Sequence, residues 1–188
     1  KKILKLAPDY EFINEKIDYN FIPAKNCIFT TKSDRNLNIL LKAWHNIFLL
    51  NKDANLLINP PYNLTNDLLD KNVKLRIKGN KQDLIKDLKS SRIMLVPGHK
   101  GEVFCLAAEE ARELCIPIVT LGYGSLYERV EHNVTGFVAK NLKEFTYYAH
   151  KLLNDDDLYL KFRENLFKLR NTRNFSHVAN DLLKIISN

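Results

Sequence analysis

The sequence predicts an α/β fold built on a parallel sheet of about six strands with helices on both faces. Three observations predict it. Short apolar, β-branched runs recur along the chain. Each is followed by a stretch of helical periodicity. The runs are apolar on both faces, as strands covered from both sides must be. In order, Cys27-Ile28-Phe29-Thr30-Thr31 reads as the first buried strand. Leu37, Leu40, Leu41, Trp44, Ile47 and Phe48 then fall at helical spacing, in an amphipathic helix ending near Asn51. Asn55 to Asn59 is a second strand, stopped by Pro60-Pro61. Val73 to Lys78 alternates Val, Leu and Ile with Lys and Arg, and Gly79 closes it. A helix of about ten residues follows, with Leu84, Ile85 and Leu88 on one face.

Ile93 to Pro97 is a fourth strand, apolar throughout, and the loop Gly98-His99-Lys100-Gly101 leads into a helix from about Phe104 to Leu114. Pro117 to Leu121 and Gly136 to Ala139 complete the strands. From Leu142 the chain reads as helical, with breaks near Asn154 to Asp156 and Asn171 to Asn174. Crossovers of one hand make this a Rossmann-like, doubly wound sandwich. One domain is expected over residues 23–188, with residues 1–22 as a linker or the start of that domain.

Composition bounds the function. A chain of 188 residues buries roughly 70% of its unfolded surface and needs no disulfide or metal staple. Its 45% hydrophobic residues exclude a disordered chain. No apolar run reaches the ~18 residues of a membrane span. The net charge of +7 invites nucleic acid or phosphate-bearing ligands. Yet the lysines are dispersed, and Phe48, Phe145 and Phe162 sit in apolar helical patterns rather than in a basic stacking array, so no nucleic-acid partner is expected. Cys27, Cys105 and Cys115 form an odd set without metal-ligand spacing, which points to reduced, buried thiols and a cytoplasmic compartment. No metal site is expected. The chain begins Lys1-Lys2-Ile3, its only Met is Met94, and it reads as a trimmed or internal piece.

In an open α/β sheet, ligands bind beyond the carboxyl ends of the strands, where helix N-termini point. That rule selects Thr30 to Asn36, Gly79 to Gln82, Gly98 to Leu106 and Gly122 to Glu128. They carry Lys32, Arg35 and several glycines, which suit a phosphate ligand. Neither a G-x-G-x-x-G after the first strand nor a G-x-x-x-x-G-K-[ST] occurs. The feature that stands out is Glu102 and Glu110, with seven residues between them, read as the entrance of a helix and about two turns into it. Eight helical positions span roughly 12 Å, too far for carboxylates sharing a proton. A glycosidase-like pair fits only the wide, inverting separation of about 6.5–9.5 Å. Two separate hydrogen-bonding tasks along an extended ligand fit better. Between them, the amides of Val103, Phe104, Cys105 and Leu106 read as orphan donors of the helix start. The plainer reading is that Glu109, Glu110 and Glu113 form a solvated face.

The stretch Glu102 to Ala111, with Pro117-Ile118-Val119, Gly124, Glu128, Val130 and Thr135-Gly136, resembles the C-terminal half of retaining GT-B glycosyltransferases, the "glycosyl transferases group 1" type with an E-x7-E signature. Phe29 to Leu37, Leu40 to Trp44 and the tail around Phe175, Val178, Ala179, Leu182 and Leu183 match its first strand–loop–helix and its terminal helix. The resemblance implies a donor-binding domain for a nucleotide-diphosphate sugar, UDP- or GDP-linked, with no further cofactor. It implies that Glu110 binds ribose hydroxyls, that Glu102 holds the transferred sugar, and that Val103 to Leu106 meet sugar and phosphates. Arg35 stands where a Lys is usual and, with Glu102, is the catalytic candidate; Lys32 substitutes for an Arg, because Thr30-Thr31 replace the usual Gly-Arg. The base pocket is expected near Gly79, Asn80 and Lys81, and Glu128 either touches the donor or organises its own loop. Cys105 stands where Gly is common and either narrows donor choice or packs. His99 and Lys100 read as exposed loop charges without an assigned role.

A GT-B enzyme has two such domains, and this chain fits the second. The implied partner is therefore an N-terminal acceptor domain, in cis or in trans, with glycan or lipid-linked acceptors and peripheral association of the full-length enzyme with the inner face of a membrane. Two other classes stay open: a same-fold sugar-nucleotide epimerase or phosphorylase-like enzyme, and a basic, non-enzymatic interaction domain.

Overall fold

The computed structural model describes residues 4, 6–61, 72–77 and 79–187. The elements in chain order are α1 (Tyr10–Ile13), β1 (Asn26–Phe29), α2 (Leu37–Leu50), β2 (Asn55–Ile58), β3 (Val73–Leu75) and α3 (Lys81–Lys89). There follow β4 (Ile93–Gly98), α4 (Leu106–Glu113), β5 (Ile118–Tyr123), α5 (Leu126–Arg129), β6 (Gly136–Val138), α6 (Leu142–Asn154), α7 (Asp156–Lys168) and α8 (Phe175–Ile186). The six strands form one sheet in the order β3-β2-β1-β4-β5-β6, every pair parallel.

Strand alternation explains the two cores. Cys27, Phe29, Ile93, Leu95 and Val119 point to one face, where α2, α6 and α7 supply Leu40, Trp44, Phe145, Leu152 and Phe162. Ile28, Met94, Val96 and Ile118 point to the other, under α3 and α4 with Ile85, Leu88, Ala108 and Ala111. The crossovers α2, from β1 to β2, and α3, from β3 to β4, run in opposite directions and lie on opposite faces, as a single crossover hand requires. The chain thus reverses its direction of winding between β1 and β4.

Helix boundaries follow local chemistry. Asn80 and Asp83 form a reciprocal capping box at α3. The side chains of Asn141, Asp155 and Asn174 cap α6, α7 and α8. The breaks expected near 154–156 and 171–174 fall at these caps. Residues 6–22 pack onto the domain: Phe12 is buried in the second core, and Arg163 of α7 donates to the carbonyls of Asp18 (2.9 Å) and Tyr19 (3.0 Å).

The strand expected over Val73–Lys78 ends at Leu75, and Lys78 lies outside the described residues. Its alternation inverts there. Arg76 is buried because its guanidinium is captured by Asp87 (2.7 Å) and Asn59 (2.8 Å), while Ile77 is 89% exposed. The helices α1 and α5 are too short to show a period and were not expected. All three cysteines are free and buried; burial raises the thiol pKa of all three, to about 11 for Cys105 and Cys115. Among the described residues, no helix is long and apolar enough to cross a membrane.

Phe162 is fully buried against Phe137, with ring centroids 5.2 Å apart. Phe162→Ala is expected to cost about 3–5 kcal/mol. Thermal unfolding should show a melting temperature lower by roughly 6–20 °C; an unchanged midpoint would contradict this core.

Candidate functional site

The reversal of winding between β1 and β4 opens a crevice at their carboxyl ends. The loop after β1 is wound tight: the Arg35 amide donates to Lys32 O (3.0 Å) and the Leu37 amide to Ser33 O (3.3 Å). Asn36 adopts a left-handed conformation (φ 65°), and its Nδ2 donates to Gly98 O at 2.6 Å, joining this loop to the end of β4. An asparagine tolerates that conformation better than most residues and brings a donor as well.

The loop after β4 is held from the other side by the loop after β5. The Glu102 amide closes a turn on His99 O (2.9 Å). The Ser125 amide donates to Glu102 O (2.9 Å), and Ser125 Oγ accepts from the Cys105 amide (2.9 Å). Gly124, at φ +64°, lies so close that a Cβ would sit 2.5 Å from His99 O and 2.7 Å from Glu102 O. Only glycine fits there without moving backbone.

These contacts correct three expectations. The helix begins at Leu106 instead of Phe104, with Cys105 as its N-cap, so Glu102 lies in the preceding turn and Glu110 about one turn into the helix. The 12 Å reckoning, which assumed one continuous helix, does not apply. Of the four amides expected to be free, that of Cys105 is taken by Ser125. Glu109 and Glu113 are not a solvated face either: both are buried, and Arg112 pairs with them at 2.6 and 3.0 Å. Arg129 also pairs with Glu109 (3.1 Å) and lies over Phe104 (4.2 Å), while Glu113 accepts the Asn171 amide (2.9 Å).

Glu110 differs from its neighbours. Its carboxylate has no hydrogen bond or ion pair among the described residues, and burial raises its pKa to about 7. The charge of Lys81 opposes that rise and the charge of Asp9 adds to it. Lys81 itself is bonded to Asp9 and lies 3.5 Å from Glu11, both contributed by the segment around α1; Gln82 also donates to Glu11 (3.0 Å). Bonding to Lys81 holds the Asp9 carboxyl below its ordinary pKa.

The other candidates separate into groups. Arg35 and Glu102 come together, 3.8 Å apart, with Asp34 also 3.8 Å from Arg35 and His99 Nδ1 at 3.2 Å. Lys32 lines a neighbouring cavity of ≈ 400 Å³ with Thr30, Thr31, Asn59 and Arg76. Asn80 is occupied as the cap of α3, and Gly79 packs on the Asp83 carboxylate, where a Cβ would clash. Val103 is 88% exposed, Leu106 is exposed, Phe104 is partly covered and Cys105 is buried. Glu128 is exposed on the short helix α5, which follows the Gly124-Ser125 turn.

Sequence reasoning missed His99, Asn36 and Ser125. His99 is not a free loop charge, because its ring accepts from the Gly101 amide (3.0 Å) and meets Arg35. A signal was present in Gly101: a Cβ there would stand 3.2 Å from the His99 ring. Among the described residues, no group of three or more His, Cys, Asp or Glu is placed to hold a metal ion.

The family model described as "Glycosyl transferases group 1" matches residues 30–169, most of the chain and all of this crevice. The chain belongs to the group 1 glycosyl transferases. No curated protein sequence matches it. Among solved structures it is similar to WaaG, described as a glycosyltransferase involved in lipopolysaccharide biosynthesis, with a TM-score of 0.78, 16% identity, and coverage of 98% of this chain and 56% of that one. It is similar to S. aureus TarM, solved with Fondaparinux, alpha-GlcNAc-glycerol and UDP, at a TM-score of 0.73 and 17% identity over 93% of this chain and 38% of that one. The C-terminal domain of a group 1 family protein (LpcC) from Francisella tularensis matches at a TM-score of 0.65 and 18% identity, over 81% of this chain and 87% of that one. The fold of this group 1 chain is therefore that of a GT-B C-terminal domain, and the chain spans about half the length or less of the larger structures it matches.

Two outcomes are expected. Gly124→Ala should lower stability by at least the ~1–2 kcal/mol of a left-handed non-glycine residue, with a lower denaturation midpoint; an unchanged midpoint would mean that the loops do not need this close approach. Glu110 has a folded pKa above its unfolded value, so its protonated form favours the fold, and that contribution is lost as pH rises from about 4.5 through about 7. Glu110→Gln should therefore gain stability relative to wild type across that window, by at most about 3 kcal/mol. Denaturant titrations at pH 5 and pH 8 measure it, and parallel profiles would contradict it.

Proposed function

We propose that the chain is the donor-binding half of a retaining GT-B glycosyltransferase, holding a nucleotide-diphosphate sugar for transfer to a glycan or lipid-linked acceptor. The observation that carries this reading is the meeting of Arg35 and Glu102 at the winding reversal, beside the start of α4, in a chain of this family. Arg35 supplies a permanent positive charge for the diphosphate. The start of α4 adds its dipole and the amides of Phe104 and Leu106. Glu102 takes hydroxyls of the sugar, and Glu110, unpartnered and facing Lys81, takes hydroxyls of the ribose. The bond between the anomeric carbon and the diphosphate breaks through an oxocarbenium-like transition state while the acceptor oxygen bonds to that carbon. The protein's main contribution is to stabilise negative charge on the departing diphosphate.

The UDP present with TarM, and the UDP-glucose present with Anabaena HepE, support UDP as the first nucleotide to test. The acceptor side falls to a second domain. Supporting this, α8 leaves Phe175, Leu183 and Ile186 exposed at 45%, 61% and 72%, an apolar face suited to such a domain.

Thermal shift with UDP, GDP, ADP and their sugars tests the reading. At about 100 times Kd, linkage adds roughly 2.7 kcal/mol, and the midpoint should rise by about 5–11 °C. Arg35→Ala and Glu110→Ala should each remove most of that rise. The reading is overturned if no nucleotide moves the wild-type midpoint.

A further inference from the structure

We propose that His99 is a positioning residue for Arg35: its unprotonated Nδ1 holds the guanidinium on the rim, in front of α4. The assignment rests on the donor-binding reading above and adds to it the residue that aims the diphosphate clamp. Arg35 is a long side chain, only 28% exposed, on a loop. Its two carboxylate neighbours, Asp34 and Glu102, stand at 3.8 Å, beyond hydrogen-bond length. His99 Nδ1, at 3.2 Å from Nη1, is its one side-chain contact of hydrogen-bond length among the described residues.

The protonation of the ring follows from its partners. A guanidinium and a backbone amide can only donate, and both Arg35 and the Gly101 amide (3.0 Å) converge on Nδ1. Nδ1 therefore offers its lone pair, and the neutral ring carries its proton on Nε2. The Gly101 amide pins the ring from its own loop, so the ring is oriented independently of Arg35. Gly101 makes room, since a Cβ there would stand 3.2 Å from Nδ1 and 3.7 Å from Arg35 Nη1. The same turn carries Glu102, whose amide bonds His99 O (2.9 Å), so ring and carboxylate flank the guanidinium together.

A neutral acceptor has a specific advantage here. A carboxylate at hydrogen-bond length would neutralise Arg35 and compete with an incoming diphosphate. An imidazole lone pair fixes the direction of the guanidinium and leaves its full charge for the ligand. Ordering a long side chain in advance also removes an entropic cost that ligand binding would otherwise bear.

Calorimetric titration of the 188-residue chain with UDP tests the assignment, each variant's ligand-free melting temperature first being checked against wild type. His99→Ala should weaken UDP binding by roughly three- to tenfold, the net scale of one ordinary hydrogen bond. His99→Asn, whose Oδ1 reproduces the Nδ1 acceptor, should bind within about twofold of wild type, whereas His99→Gln, which reproduces the Nε2 side, should resemble Ala. In an Arg35→Ala background, His99→Ala should add no further loss. Wild-type affinity in His99→Ala alongside a weakened Arg35→Ala would overturn the positioning role and leave the donor reading intact. So would equal loss in the Asn and Ala variants, or losses that multiply in the double variant. Absence of UDP binding in the wild type, or no effect of Arg35→Ala and Glu110→Ala, would instead strike the donor reading and this assignment with it.

Discussion

The parallel pairing of β1 with β4 is the contact on which the site depends. Cys27 and Ile28 pair with Ile93 and Met94, strands separated in sequence by α2, β2, β3 and α3. Because winding reverses there, the two following loops diverge to opposite faces and leave a crevice between them. The bond from Asn36 to Gly98 then fixes how far apart the loops stand. Without that register, Arg35 and Glu102 belong to different parts of the chain and have no reason to meet.

Around this contact the molecule spends its polar groups on position. Ser125, on the loop after β5, takes the Cys105 amide and offers its own to Glu102 O, so the loops after two strands fix one turn. The buried acids Glu109 and Glu113 are neutralised by Arg112 and, for Glu109, Arg129, and they anchor α4 to the domain. Glu110, between them in sequence, lacks such a partner, and burial raises its pKa. Helical geometry turns neighbours at i and i±1 to different directions, and that divides one acidic run into two anchors and one open carboxylate.

Much of this was legible in the sequence, and the remainder has physical reasons for having been hidden. The six strands could be read because buried parallel strands are apolar throughout, as Ile93 to Val96 are. The long helix α2 showed its helical period in Leu37, Leu40, Leu41, Trp44, Ile47 and Phe48. That Glu102 and Arg35 lie on loops of one rim was suggested by the carboxyl-end rule and by the family resemblance; their meeting was not. The inversion at Arg76 was invisible, since it depends on Asp87 and Asn59 arriving from elsewhere in the chain. His99 was hidden for the same reason: a histidine between glycines looks solvated until Arg35, 64 residues earlier, is brought against it. The loss of the Cys105 amide to Ser125 is likewise a tertiary event, 20 residues apart in sequence.

The β1–β4 crevice is proposed to receive the diphosphate of a nucleotide donor. A crystal structure of the chain with UDP tests it most directly. The diphosphate should lie against the Arg35 guanidinium and the start of α4, with the ribose hydroxyls on Glu110. A nucleotide seated instead in the groove between α2 and α6, lined by Lys42, Leu50, Tyr147 and His150, would contradict it.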